Sequence, residues 1–278
     1  MRKKNKRQKF TIFDVLMYGL VGIMAIACLY PFVNVLAYSF SGANAVLSND
    51  VTFYPKDFTL AAYQNVFARP AIWNAMRTTV IITLVGTALS LVLTIAAAYA
   101  LSYENLPGRR ALSGFILFTM YFSGGIIPTF LVVKNLGMYD SLAALIIPNA
   151  ISVFNFVVMR TFFREIPREL YEAAQIDGAG KARMFFSITL PQISPIIFFN
   201  LLNQMIQALQ NFTSASVITE GGPLKATYVL GLKLYKEGFS YFKMGYASAI
   251  SWVVFTVIVA FTLLIFGSSK FWVHYGDE

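Results

Sequence analysis

The amino-acid sequence predicts an all-α integral membrane protein: six transmembrane helices with one substantial polar segment on the cytoplasmic side. Three observations carry that reading. Hydrophobic residues make up 57% of the 278 residues and charged residues 13%, whereas a soluble domain keeps about a quarter of its residues charged. Apolar stretches long enough to cross a bilayer, about 20 residues as a helix, recur along the chain. Basic residues are distributed unevenly between the intervening loops.

Residues 1–11 form a basic head, with Arg2, Lys3, Lys4, Lys6, Arg7 and Lys9 directly ahead of an apolar run. Residues 12–278 read as a single membrane domain. Its first span, about 12–40, is too long for a signal-peptide core and lacks a small-residue cleavage site, so it is expected to be retained. The further spans cover about 78–102, 111–133, 141–159, 192–218 and 244–269. Even numbering puts both termini on one side. Fourteen Lys and Arg fall on the side of the head and eight on the other, which predicts cytoplasmic termini. The net charge of +9 therefore reads as membrane topology; the later basic residues are too dispersed for a nucleic-acid surface. A lone Cys28 and a lone His274 offer neither a disulfide nor a metal site.

Two external segments, 41–77 and 219–243, are longer than simple connections require. They are either plain loops or short structured pieces that meet an external partner. The second opens with the turn signal Gly221-Gly222-Pro223.

The polar segment 160–191 is the most informative. Pro167 suits the first position of a helix, Glu169 the first turn, and Leu170, Ala173, Ala174 and Asp177 follow at helical spacing. Gly178 is a natural stop, and a second helical stretch from Lys181 runs to Pro191. An amphipathic surface loop has these properties too; the motif spacing argues for a surface that a partner protein grips. Glu172-Ala173-Ala174, three residues, Gly178, nine residues, Ile188, one residue and Leu190-Pro191, with Asp177 and Ala179 flanking the glycine, resembles the EAA loop of permease subunits of bacterial ATP-binding-cassette (ABC) importers. The resemblance runs from the first span to Tyr275 and is to the carbohydrate-uptake branch. Up to about Pro195 the chain looks like one of the two sugar-permease partner types, with Tyr30-Pro31 and Phe58-Thr-Leu-x-x-Tyr63. Beyond it, Thr219-Glu-Gly-Gly-Pro223, Thr227, Gly245-Tyr-Ala-Ser-Ala249 and Trp272-Val273-x-Tyr275 look like the other.

This resemblance implies the type I importer permease fold, with the EAA helix docked in a groove of a separate ATPase. It implies a bacterial inner-membrane location, two ATPase subunits, a second permease subunit completing a heterodimer, and an extracytoplasmic sugar-binding protein. No G-x-x-x-x-G-K-[ST] loop occurs in the sequence. The chain is accordingly expected to be a transport subunit and not an enzyme, without a cofactor of its own; ATP and Mg belong to the partner subunits.

Candidate solute contacts lie in the fifth span. Asn200, Asn203, Gln204, Gln207, Gln210 and Asn211 fall there, and spacings of three, four and seven place most of them on one helical face. Polar groups inside a bilayer face a cavity or another helix. Amides that donate and accept suit hydroxyl-rich ligands, though they also staple helices together. As a stripe they favour a translocation path, and the resemblance puts Gln204, Gln207 and Asn211 at sugar-contacting positions. Asn149, Ser152 and Asn155 in the fourth span form a second set. Gly124-Gly125 and Pro128 mark either a gating bend or close helix packing. A membrane enzyme lacks its titratable cluster here. An ion-coupled secondary transporter would have only Asp14 as an intramembrane carboxylate. An ABC permease for a non-sugar solute is the remaining alternative.

Overall fold

The computed structural model describes residues 11–223 and 225–275. Residues 1–10 of the expected basic head lie outside the described residues. Among the described residues every regular element is helical. In chain order the α-helices are α1 (Ile12–Ser39), α2 (Ala43–Leu47), α3 (Ala61–Ala68), α4 (Pro70–Ser102), α5 (Arg109–Tyr121), α6 (Ile126–Asn135), α7 (Ala143–Ile146), α8 (Val153–Glu165) and α9 (Arg168–Ile176). They continue with α10 (Lys181–Met184), α11 (Leu190–Gln192), α12 (Ser194–Leu209), α13 (Thr213–Val217), α14 (Leu230–Tyr235) and α15 (Met244–Trp272).

Among the described residues three helices, α1, α4 and α15, are by themselves long and apolar enough to cross a membrane, and counting each of two bent pairs as one span raises the number to five. The fold class is thus as expected, but the expected spans differ in continuity, and glycine and proline account for the difference. The stretch 111–133 is two helices, because Gly125 sits at φ +85° outside helical space. Pro128 then falls in the first turn of α6, where no backbone donor is needed. The fourth span bends by 46° between Ala143–Asn149 and α8. There Pro148 lacks a donor, and Ser152 restarts the helix by accepting a hydrogen bond from the Asn155 backbone N–H at 3.4 Å. At the fifth, Lys181–Gln192 meets Ser194–Val217 at 70°, between Pro191 and Pro195. By contrast α4 begins at Pro70, eight residues ahead of the expected start, since Asn74 and Arg77 do not interrupt helical geometry. Asp14 caps α1: its Oδ2 accepts from the Thr11 N–H at 2.8 Å.

The chain divides into two compact units. One comprises residues 11–68 with 237–252. Of the segment 41–77, expected as either loop or structured piece, residues 41–68 are structured here and residues 70–77 belong to α4. Asn34 donates to the Thr52 carbonyl at 2.8 Å, Tyr38 to Asn49 Oδ1 at 2.5 Å, and Phe40 stacks on Phe58 at 5.6 Å. Ala37, Ala45 and Val51 form its small buried centre. A Cβ on Gly245 would stand 3.4 Å from the Tyr38 carbonyl oxygen, so glycine suits this close approach.

The other unit comprises residues 69–236 with 253–275. Its core lies among α4, α8 and α12, where Ala98, Leu101, Phe156, Met159, Phe163, Ile166, Ile193 and Ile196 bury one another. A second cluster joins Ile82, Leu145, Ile146, Ala215, Val229 and Leu232. The turn after Thr219 folds on itself: buried Thr227 donates to the Gly222 carbonyl at 2.5 Å, and the Gly222–Pro223 peptide is cis. Phe198 packs edge-on against Phe266 at 5.0 Å, and the His274 N–H donates to Ser194 Oγ at 2.8 Å.

Candidate coupling helix and amide-lined cavity

α9 is the expected helix of the EAA segment, one residue shorter at its start because Pro167 occupies the N-cap (ψ 133°). Its end explains the motif. Gly178 has φ +76°, the Ala179 N–H donates to the Ala174 carbonyl at 2.9 Å, and the Gly178 N–H donates to that of Gln175 at 3.0 Å. This is the Schellman arrangement, a left-handed residue whose neighbours satisfy the last carbonyls. Asp177 closes the last turn through its N–H to the Ala173 carbonyl at 3.1 Å. No residue of α9 is buried. Glu172 and Ala173 are exposed, and Ile176 is 87% exposed.

What ties this helix to the body is a short set of contacts that the sequence did not single out. The hydroxyls of Tyr171 and Thr189 lie 2.9 Å apart, and burial pushes the Tyr171 phenol above its ordinary range. Arg168 donates to Glu104 at 2.6 Å and holds that exposed carboxyl below the usual carboxylate range. Thr189 closes a π-helical turn, Phe185–Thr189, which leads into Leu190 and Pro191. Ile188, Leu190 and Pro191 are half-buried, and Leu190 packs against the main core. Arg160 Nε donates to the Leu101 carbonyl at 2.9 Å, satisfying one of the orphan acceptors at the end of α4. An open cleft of about 840 Å³ is lined by Tyr103 and Glu104 on one side and by Arg168, Tyr171 and Glu172 on the other. The signal in the sequence was faint: a tyrosine and a threonine eighteen residues apart have no periodic relation.

The amides of the fourth and fifth spans fall into two groups. Asn149, Gln204, Gln207 and Asn211 line one cavity of about 360 Å³, together with Ser152, Gln210 and Thr213. Asn155 and Asn200 lie outside it, buried between α8 and α12. Asn200 donates to the Asn155 carbonyl at 3.3 Å, and Asn155 donates to Gln204 Oε1 at 3.5 Å. Gln204 continues the chain to the Asn149 carbonyl at 3.4 Å. Asn203 turns back to the Phe199 carbonyl of its own helix at 3.1 Å. The expected single helical face therefore separates: α12 ends at Leu209, and Asn211 reaches the cavity from the irregular backbone beyond it. Spacing alone did not reveal this, because a helix break moves side chains off the 3.6-residue register.

Comparison with known proteins agrees with this architecture. The profile of the family described as "binding-protein-dependent transport system inner membrane component" matches residues 90–271. The chain is 43% identical over 189 residues to the polygalacturonan/rhamnogalacturonan transport system permease protein YtcP of Bacillus subtilis, covering 68% of this chain and 66% of that one. It is 41% identical over 188 residues to protein LplC of the same organism, covering 68% and 63%. The matched stretch thus spans just under two thirds of these relatives' own length. Among solved structures, a chain of a bacterial ABC transporter involved in import of the acidic polysaccharide alginate superposes with a TM-score of 0.81 at 26% identity, covering 95% of this chain and all of that one. An exposed, glycine-stopped helix beside a membrane core, a profile match to residues 90–271, well over half of the chain, and this superposition converge: the chain belongs to the family of binding-protein-dependent transport system inner-membrane components, the permease subunits of ABC importers.

Proposed function

We propose that this chain is a permease subunit that moves a carbohydrate, an oligosaccharide by the chemistry of its cavity, across the bacterial cytoplasmic membrane by alternating access. Both termini face the cytoplasm, and residues 12–278 act as one membrane domain of six crossings behind the basic head. ATP and Mg are handled by two separate ATPase subunits, which grip α9 through Glu172, Ala173, Ala174 and the Asp177-Gly178-Ala179 stop. Ile188, Leu190 and Pro191 relay that grip into the core. A second permease subunit completes the pathway, and an extracytoplasmic binding protein delivers the sugar.

The observation that carries the reading is the exposed, glycine-stopped helix α9, attached to the body only at its inner face. A helix of nine residues with no fully buried side chain gains little from its own chain; a docked partner supplies what is missing. Support for the cargo comes from the cavity, where hydrogen-bonding amides are set among apolar walls, and from the names of the relatives. Asn200, Asn203 and Asn155 hold the walls in register, while Asn149, Gln204, Gln207 and Asn211 face the path.

The test is uptake of labelled oligosaccharides into vesicles carrying the complete importer and supplied with ATP. Glu172→Ala is expected to reduce both ATPase co-purification and uptake. Intact association and uptake in that variant would refute the coupling role, and ATP-independent uptake driven by an ion gradient would favour a secondary transporter.

A further inference from the structure

The cavity has a property that the names of the relatives do not suggest: among the described residues lining it, none is charged. Its polar wall is built from carboxamides and hydroxyls only. Two of its amides are already engaged. Gln204 is held between Asn155 and Asn149, and Asn149 donates to the Leu145 carbonyl at 3.1 Å. Three others, Gln207, Gln210 and Asn211, line the cavity without a side-chain hydrogen bond to the described residues. An amide free at both ends offers one acceptor and two donors, which matches a hydroxyl that does both.

The helix ends at the wall reinforce this balance. Ser152 is the N-cap of the thirteen-residue α8 and Gln210 the C-cap of α12. An N-terminal end carries partial positive charge and a C-terminal end partial negative charge, so the two dipoles offset at the cavity. A carboxylate brought here would shed water and find no cation among the described residues of this chain's wall to replace it.

Building on the carbohydrate reading above, we infer that this cavity selects uncharged saccharide units and disfavours uronates, with Gln207 as a specificity-determining residue. Gln207 is exposed on the last full turn of α12, so a charge placed there meets the ligand and not the core. The relatives whose names refer to polygalacturonan and alginate would on this view differ in the charge of the corresponding wall.

The test loads vesicles carrying the complete importer with an equal mixture of neutral trisaccharides (galactose-, xylose-, arabinose- and glucose-based) and their uronate-bearing counterparts. Accumulated species are read by mass spectrometry. The neutral member of each transported pair is expected to exceed its uronate by at least tenfold. Gln207→Lys is expected to shift that ratio at least tenfold toward the uronate, whereas Gln207→Met lowers neutral uptake without admitting uronate. Equal or preferred uptake of uronates by the wild-type chain overturns this inference and leaves the carbohydrate reading standing. A ratio unmoved by Gln207→Lys removes the specificity role. Accumulation of no saccharide while ATP is hydrolysed overturns the carbohydrate reading, and this inference with it.

Discussion

Replacing Gly178 isolates the contribution of the helix stop. At φ +76° an L-residue brings its Cβ against its own backbone, at a cost of about 1–2 kcal/mol. A Cβ built there meets nothing within 4 Å, so the penalty is conformational and no neighbour clash is added. Gly178→Val is expected near the top of that range and Gly178→Ala near the bottom. Gly178→Asn should cost only a few tenths, because asparagine tolerates the left-handed region. Since no residue of α9 is buried, the loss falls on the local equilibrium between formed and frayed helix and hardly on global stability. If the ATPase binds only the formed helix, a frayed majority weakens docking by the same factor, roughly 5–30-fold for 1–2 kcal/mol. Titrating ATPase subunits onto the permease in nanodiscs measures this, with the order wild type, Asn, Ala, Val in increasing Kd and unchanged melting of the membrane part. Val binding as tightly as wild type would refute the argument; Asn binding as poorly as Val would refute the backbone explanation.

Other variants separate the remaining contacts. Glu104 has a depressed folded-state pKa, so its ion pair with Arg168 is complete above the ordinary carboxylate pKa and is lost as pH falls through the lowered value. The pair is exposed on both sides and such pairs contribute little. Glu104→Gln should therefore lower coupling, read as sugar moved per ATP hydrolysed, only slightly at neutral pH, and should remove any loss seen in the wild type as pH falls through the lowered value. Asn200, 1% exposed, should behave as a staple: Asn200→Ala is expected to lower stability by about 1–3 kcal/mol, read as melting temperature, while Gln207→Ala leaves melting unchanged and weakens sugar affinity. At Gly221 a Cβ would lie 2.6 Å from the Tyr228 ring at φ +87°, so Gly221→Ala should reduce the yield of folded protein; a normal yield with normal melting would show that Tyr228 yields freely.

How much of this was legible in the sequence depended on whether the determinant was local. Stops and breaks were readable: Gly178 and the prolines at 167 and 191 act within a few residues, and their type announces the geometry, whereas the capping role of Asp14 emerged only from the structure. The apolar stretches were readable as helices because bilayer thickness demands length and hydrophobicity, which composition records directly. Continuity was less so. A bend at Gly124-Gly125 was one of two readings open there, while Pro148 and Ser152 break a stretch whose hydropathy is uninterrupted, since an apolar residue satisfies the bilayer whether or not its helix bends. The cavity was half legible. Amide spacing singled out Gln204 and Gln207, which line the cavity, but the same spacing grouped them with Asn200 and Asn203, whose partners are carbonyls of neighbouring or own helices. Only tertiary contact separates a staple from a lining residue of the same type. The Arg168–Glu104 pair joins residues sixty-four apart and has no periodic trace at all.

The central claim is that the exposed face of α9 is where an ATPase grips this chain, and site-directed cross-linking tests it most directly. Cys28 is the single cysteine of the sequence, so Cys28→Ser gives a background in which Ile176→Cys, at a side chain 87% exposed, carries the sole thiol. In the complete importer a short bifunctional reagent is expected to join that position to the ATPase subunit and to arrest sugar uptake, with reversal on cleavage of the linker. No cross-link from Ile176→Cys, or from Glu172→Cys on the same helix, in vesicles that are importing sugar at the wild-type rate would contradict the account.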